Sequence, residues 1–330
     1  MKTFSKLHYF GALLAFSCLL AGCGHDGARS SASSTVVAAP AAPQAASPAE
    51  QAPPAPQTGG FDGAKAFEHV AKLVSFGPRR PASDGIHHAQ EYMVAQLKSY
   101  GCAVDEDDFH AQTPVGDVAM KNIVAKAAGT GQGIILLMTH YDTKTMKDFV
   151  GAEDGGSSTG LMLEMARILC GKKQGNATWI AFLDGEEAFV DWNKDEDHTY
   201  GSRELAARLA VSGDLKRVKA AILADMIGQC GLEIPRETYS TKWLSDLVWN
   251  TAARLGYQQI FSNRESAVED DHVPFLHRGV PAVDLIDLDG FTAYWHTPQD
   301  TLDKVSPRSL AIVGHVVLES VAELQAEFPH

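Results

Sequence analysis

The chain lacks the cysteine spacing of a thiolate metal site. Its five cysteines, Cys18, Cys23, Cys102, Cys170 and Cys230, include no Cys-x-x-Cys pair, which argues against a zinc cluster of the finger type. It also lacks positive charge. Lysine and arginine number 28 against 41 acidic residues, a formal net charge of -13, and nucleic acid is a poor partner for such a surface. The apolar run Phe10 to Leu20 is too short for a comfortable membrane span. No internal repeat is visible. What remains is an ordinary globular composition, 330 residues with 45% apolar and 21% charged, enough for one large domain or two small ones.

The first residues read as an export signal. Lys2 and Lys6 precede the apolar run, whose length fits a signal-peptide core. The ending Leu20-Ala21-Gly22-Cys23 resembles a bacterial lipobox, and that resemblance implies cleavage before Cys23 with lipid on its thiol. The plainer alternative is a secreted protein with an incidental cysteine; both are exported. Gly24 after Cys23 is compatible with outer-membrane sorting, so the expected location is a membrane anchor facing the periplasm, or the cell surface. Residues 23–60, rich in Ala and Pro as in Ala52-Pro53-Pro54-Ala55-Pro56, cannot bury a core and read as a disordered tether. The expected organisation is therefore a signal peptide over 1–22, a tether over 23–60 and a catalytic domain over 61–330.

The folded part alternates helices and strands. Phe67, Val70 and Leu73 have helical spacing, and a second helix runs from Ile86 to Tyr100, closed by Gly101. Strands are predicted over 122–127, 133–139, 177–183, 218–223 and 280–286. Helices are predicted over 157–169, 202–209, 241–255 and 307–328. Ile134-Ile135-Leu136-Leu137-Met138 is apolar at every position, as in a central strand buried on both faces. This order predicts an α/β fold: a three-layer α/β/α sandwich around a twisted, largely parallel mixed sheet.

The polar residues after those strands carry the chemistry. Thr139-His140-Tyr141-Asp142 follows one strand, Asp184-Gly185-Glu186-Glu187 the next, Asp225 a third, and Trp295-His296 comes after the last. Glu153-Asp154-Gly155-Gly156 precedes the 157–169 helix. Ligands of open α/β sheets bind at the carboxyl ends of the strands, so His140, Asp154, Glu186, Glu187, Asp225 and His296 converge there if the strands are parallel. Imidazoles and carboxylates without thiolate suit a catalytic, partly open Zn²⁺ site. Taken singly, each has an ordinary reading: His140 as a satisfied core histidine, Asp154 as a helix cap, Asp225 as the close of a turn, His296 as a surface residue.

His140-Tyr141-Asp142-Thr143-Lys144, Asp184-Gly185-Glu186-Glu187-Ala188-Phe189, Trp192, Tyr200-Gly201-Ser202-Arg203, Asp270-Asp271-His272-Val273-Pro274-Phe275-Leu276 and Trp295-His296-Thr297 resemble the zinc-dependent glutaminyl cyclases of the animal type, within the M28 family of zinc aminopeptidases. The resemblance covers about residues 65–328. It implies one zinc held by Asp154, Glu187 and His296, with Glu186 as general base and acid, and Asp225 and Asp270 holding Glu186 through short hydrogen bonds. Trp295, Phe291 and Trp192 would line the substrate pocket. The implied reaction closes N-terminal glutamine of a peptide or protein to pyroglutamate with release of ammonia. The same residues are also the set that M28 aminopeptidases use; there two zinc ions share Asp154, and His140 and Asp225 complete the second site. A third reading is a lipid-anchored binding protein that keeps only the fold.

The pattern departs from the animal cyclases in places. Thr139 and Thr159 occupy the positions of a cysteine pair, Gly155 that of a serine, and Asp284 that of a histidine near the acid–base group. Elsewhere Arg79-Arg80 reads as a solvated turn, His87, His88 and His198 as surface groups, and Trp243 and Trp249 as packing residues. His272 is either structural or supports the site. Cys102, Cys170 and Cys230 read as buried thiols, two of which could pair in an oxidising compartment.

Overall fold

The computed structural model describes residues 50–172, 175–194 and 196–328. The segment expected to be a signal sequence, Cys23 and most of the expected tether lie outside the described residues. Residues 50–60, expected to end the tether, belong to the packed body. Ala55–Gln57 forms a short 3-10 turn, Thr58 is fully buried, and the Ser306 hydroxyl hydrogen-bonds to Glu50.

The strands are β1 (Ala103–Thr113), β2 (Gly116–Ala127), β3 (Ile134–His140), β4 (Ala177–Leu183), β5 (Val218–Asp225), β6 (Ile234–Glu237), β7 (Phe261–Ser266) and β8 (Ala282–Ile286). The helices are α1 (Gly63–Val74), α2 (Asp84–Ser99), α3 (Gly156–Leu169), α4 (Tyr200–Ser212), α5 (Lys242–Arg254), α6 (Val273–Leu276), α7 (Leu288–Phe291) and α8 (Pro307–Glu327). The main sheet has six strands in the order β1-β2-β4-β3-β5-β8. β4, β3, β5 and β8 run parallel; β2 joins β4 antiparallel, and β1 joins β2 as a hairpin. A separate parallel pair, β6 with β7, lies outside this sheet.

Every residue of β3 and β4 is buried, as the unbroken apolar runs require. Alternate side chains serve opposite faces. Ile135, Leu137, Ile180 and Phe182 join the core under α1, α3, α5 and α8. Ile134, Leu136, Met138 and Trp179 pack with α4 and with Phe275 of α6 on the other side. Burying each such side chain contributes about 1.5–3 kcal/mol, so both faces of the central strands resist any slip in register. α8 is long and apolar enough to cross a membrane, yet it is mostly buried within the body.

β1, β6 and β7 were not predicted. β1 reads Ala-Val-Asp-Glu-Asp-Asp-Phe-His-Ala-Gln-Thr with mostly exposed or half-exposed side chains, so no apolar alternation marks it. The register that matters lies at the other end of the sheet. His140 pairs with Leu183 and Asp225 with Ile286, so the parallel strands end on one rim.

Candidate active site

The loop after β3 turns back sharply into α3, and glycine makes that turn possible. Gly155 is the α3 N-cap at φ 73°. A Cβ there would sit 2.7 Å from the Asp142 carbonyl oxygen and 2.9 Å from His140 Cε1, so the serine of the animal cyclases has no room here. No side chain caps α3, and Asp154 is left to face the rim.

Asp154 lies between two imidazoles. Its Oδ1 is 3.3 Å from His140 Nε2 and its Oδ2 is 3.3 Å from His296 Nε2. His296 Nε2 is also 3.1 Å from Glu187 Oε1. Asp154, Glu187 and His296 each offer a ligand atom within 4.8 Å of the others. His140, Asp154 and Asp225 form a second such group, sharing Asp154, with His140 Nε2 3.0 Å from Asp225 Oδ1.

Buried polar groups fix the loops that carry these side chains. The Asp142 carboxylate accepts from the amides of Glu186 at 3.1 Å and Glu187 at 3.3 Å. Asp300 accepts from the amides of Glu153 at 2.7 Å and Asp154 at 3.1 Å. Arg79, expected in a solvated turn, is fully buried and donates to the carbonyls of Tyr141, Val150 and Gly151 at 2.9, 2.6 and 2.8 Å. Burial brings its guanidinium down to about 10, against the pull of Asp300, Asp142 and Asp154, so it stays charged beneath the acids. His296 at φ 51° and Met226 at φ 45° hold left-handed backbone, which costs non-glycine residues on the order of 1–3 kcal/mol each. Both face the same cavity.

The electrostatics separate the acids. Burial would raise Asp154, but His140 and His296 hold it below the usual carboxylate range. Burial pushes Glu186 well above that range; His140 opposes the shift, and Asp270 and Glu187 add to it. Asp270 rises through burial and the nearby charges of Asp225 and Asp271. His296 would fall on burial, but Asp154 and Glu187 lift it to about 9. Asp225 and Asp270 were expected to hydrogen-bond Glu186. In the structure Asp225 Oδ1 lies 3.0 Å from His140 Nε2 and Asp270 Oδ1 accepts from the Asp271 amide at 2.5 Å; Asp270 also acts on Glu186 through charge. The Glu186 carboxylate comes within 3.8 Å of His140 Nδ1.

The group Asp154, Glu187 and His296 fits a zinc ion. Asp154 Oδ2 is buried and faces His296 Nε2, itself one of the three donors, at 3.3 Å. Two carboxylates and one imidazole are donors that zinc takes, and three of them leave a fourth position open, as in catalytic zinc sites.

A cavity of about 230 Å³ opens onto these groups, walled by Trp192, Met226, Val268, Ile286 and Trp295. Trp295 stacks on His296 with ring centres 4.1 Å apart. Trp192 stacks on His198 at 4.2 Å and 10°, so His198 is a buried backing for the wall, not a surface group. Phe291, expected in the lining, is fully buried; it packs with Met226 and Ile286 behind the cavity. Met226, Val268 and Glu269 were missed. Val268 and Glu269 immediately precede the quoted Asp270-Asp271-His272 motif, and that adjacency was the available signal.

The departures have local explanations. Thr139 Oγ1 donates to Ser158 Oγ at 2.7 Å and Thr159 Oγ1 to the His140 carbonyl at 2.9 Å, so hydrogen bonds stand where the cysteine pair is missing. Asp284 is fully buried with neither oxygen hydrogen-bonded; burial and the charge of Asp270 push its carboxyl well up. His272 Nε2 lies 3.1 Å from Glu237 Oε2. Cys102 and Cys170 form a disulfide, and Cys230 is exposed.

The model of peptidase family M28 matches residues 122–321. A solved glutaminyl cyclase from an Acidobacteriales bacterium superposes with a TM-score of 0.77 at 37% identity, over 88% of this chain and 100% of that one. The glutaminyl-peptide cyclotransferase of Bothrops jararaca is 31% identical over 73% of this chain and 77% of its own length. A Zn-dependent exopeptidase from Parabacteroides distasonis superposes at 0.73 with 28% identity, over 79% of this chain and 98% of that one. The α/β sandwich, the acid and imidazole rim and these likenesses agree: the chain belongs to peptidase family M28 and, within it, to the glutaminyl-peptide cyclotransferases.

Proposed function

We infer that this chain is a glutaminyl-peptide cyclotransferase, which closes an N-terminal glutamine to pyroglutamate and releases ammonia. In that reaction the α-amine nitrogen bonds to the side-chain amide carbon, and the bond from that carbon to the amide nitrogen breaks. Asp154, Glu187 and His296 would hold one zinc, which when bound supplies Lewis-acid polarisation of the amide carbonyl. Glu186 takes a proton from the attacking nitrogen and returns it to the departing one, a role suited to a carboxyl that burial raises well above the usual carboxylate range. Asp270 and Glu187 add to that upward shift. Trp192 and Trp295 exclude water and confine the first residue, so ring closure profits from proximity.

The observation that carries the single-ion reading is the place of His140. It is not among the residues that line the cavity, whereas Asp154, Glu187 and His296 all are. The second reading, a two-zinc aminopeptidase, rests on the group of His140, Asp154 and Asp225. Incubation with a Gln-initiated peptide separates the two. Ammonia and a blocked amino terminus support the cyclase; a released free amino acid supports the peptidase. Zinc content should be one per chain.

The proposed setting is an exported lipoprotein: a signal peptide over 1–22, lipid on Cys23 and a tether to the body. The Cys102–Cys170 disulfide supports it, because such bonds persist in oxidising compartments. Labelling with a fatty-acid analogue, lost in Cys23→Ser, tests the anchor.

A further inference from the structure

The loop between β4 and α4 carries Glu186, Glu187 and Trp192, all three of which line the cavity. The Asp142 carboxylate holds the first two through their amides. Trp192 lies further along the loop and is only half-buried. An aromatic ring confines a substrate well when something fixes its plane. Resting on the cyclase reading, we propose that His198 is the positioning residue for Trp192: it fixes the indole plane relative to Glu186 and so sets the affinity for the glutaminyl residue.

The two rings stack with centres 4.2 Å apart and planes within 10°. His198 is buried and is not among the residues that line the cavity, so it acts through the indole. The imidazole is itself anchored on both sides. Before it, the Asp197 carboxylate accepts from the amides of Phe189, Val190 and Asp191 at 3.3, 2.7 and 3.1 Å and from the Tyr200 hydroxyl at 2.8 Å. That clasp joins the start of the loop to its end. After it, the Thr199 hydroxyl lies 3.1 Å from His198 Nδ1, and the Thr199 amide donates to the Glu186 carbonyl at 2.8 Å. Arg203 of α4 donates to the His198 carbonyl at 2.9 Å. Glu196 at φ 54° and Thr199 at φ 50° hold left-handed backbone, which non-glycine residues adopt only where their surroundings impose it. The path from the Glu186 backbone to the indole therefore runs through Thr199 and His198 alone.

The charge state of His198 follows from what faces it. Burial lowers its pKa from 6.5, and Arg203 of α4 adds to the lowering. Glu269 from the segment before α6, and Glu196 and Asp197 on its own loop, oppose it without reversing it. The stack at neutral pH is therefore one of two neutral rings. Protonation, below pH 6.5, turns it into a cation over an indole face, and a cation there changes the emission of that indole. The contact thus carries its own spectroscopic signature.

The test uses the zinc-loaded wild type, His198→Ala and His198→Phe with a Gln-initiated peptide. His198→Ala should raise KM by about two- to tenfold and hold kcat within about twofold, because Asp142 still fixes Glu186. His198→Phe, which keeps a flat ring, should bring KM back toward the wild type. Tryptophan emission of the wild type should change on acidification with a midpoint below 6.5, and that step should be missing in His198→Phe and in Trp192→Phe. An unchanged KM in His198→Ala, or the same emission step in His198→Phe as in the wild type, would overturn the proposal while leaving the cyclase reading intact. If His198→Ala does not fold, the emission of His198→Phe still decides. A wild type that cyclises no glutamine would overturn the cyclase reading and the role in affinity together.

Discussion

Acidic residues crowd two regions of this molecule, and their surroundings differ. On β1 the run Asp105, Glu106, Asp107 and Asp108 meets cations. Lys121 Nζ lies 2.9 Å from Glu106 and 3.4 Å from Asp108, Arg208 lies 2.8 Å from Asp107, and Lys126 bonds Asp105. Lys121 holds Glu106 below its usual range. On the rim, Glu186, Asp270 and Asp284 are buried, have few cations near them, and are pushed up instead. Solvated, paired acids stabilise a surface only slightly. Buried, underpaired acids cost stability and persist where a cation or a proton-transfer role compensates. The contrast marks the rim as the working region without reference to any relative.

The largest expected effect comes from Asp154, a proposed zinc ligand. Asp154→Ala should release the zinc and bring ammonia release to the uncatalysed background, measured by metal analysis and an ammonia assay on one preparation. Retained zinc with full activity would break the contrast. Next, Glu186→Gln should lower kcat by about 10²–10⁴-fold, the usual share of a general base, with zinc content unchanged. Loss of the metal in that variant would mean the two adjacent glutamates have exchanged roles.

A buried histidine far from the rim gives a smaller, pH-dependent effect. His69 sits against the Tyr92 hydroxyl at 2.6 Å and the Tyr100 hydroxyl at 3.1 Å. Burial, with Arg167 and Lys65, lowers it from 6.5 to about 4. The unfolded chain therefore binds its proton first, and this contribution to stability is complete above pH 6.5. It falls as pH drops toward 4, by about 1.4 kcal/mol per pH unit within that window. Urea unfolding across pH 7.5 to 4 should show a shallower loss in His69→Gln than in the wild type; equal slopes would contradict the assignment. The smallest effect belongs to the hairpin. Glu106→Gln should change stability by roughly 0.2–1 kcal/mol, less in high salt, and leave ammonia release untouched.

How much of this could be read from the residues depended on what each segment packs against. β3 and β4 were legible because burial on both faces leaves an unbroken apolar run. β1 was not, because its partners are water, Lys121 and Arg208. Arg79 misled because backbone carbonyls of residues 141, 150 and 151 satisfy it, and carbonyls leave no trace in side-chain pattern. His198 misled likewise: its polar neighbours suggested surface, while Trp192 covers it. Phe291 was placed one layer too far forward, since a wall residue and the residue behind it look alike in sequence. The rim residues His140, Asp154, Glu186, Glu187, Asp225 and His296 were legible because each follows or precedes a readable element.

The most direct test is a zinc titration of metal-free protein against ammonia release from a Gln-initiated peptide. Activity should be absent at first, rise in proportion to added zinc and level off at one ion per chain, with pyroglutamyl peptide as the product. A plateau at two ions with a free amino acid as the product, or full turnover before any zinc is added, would contradict the account.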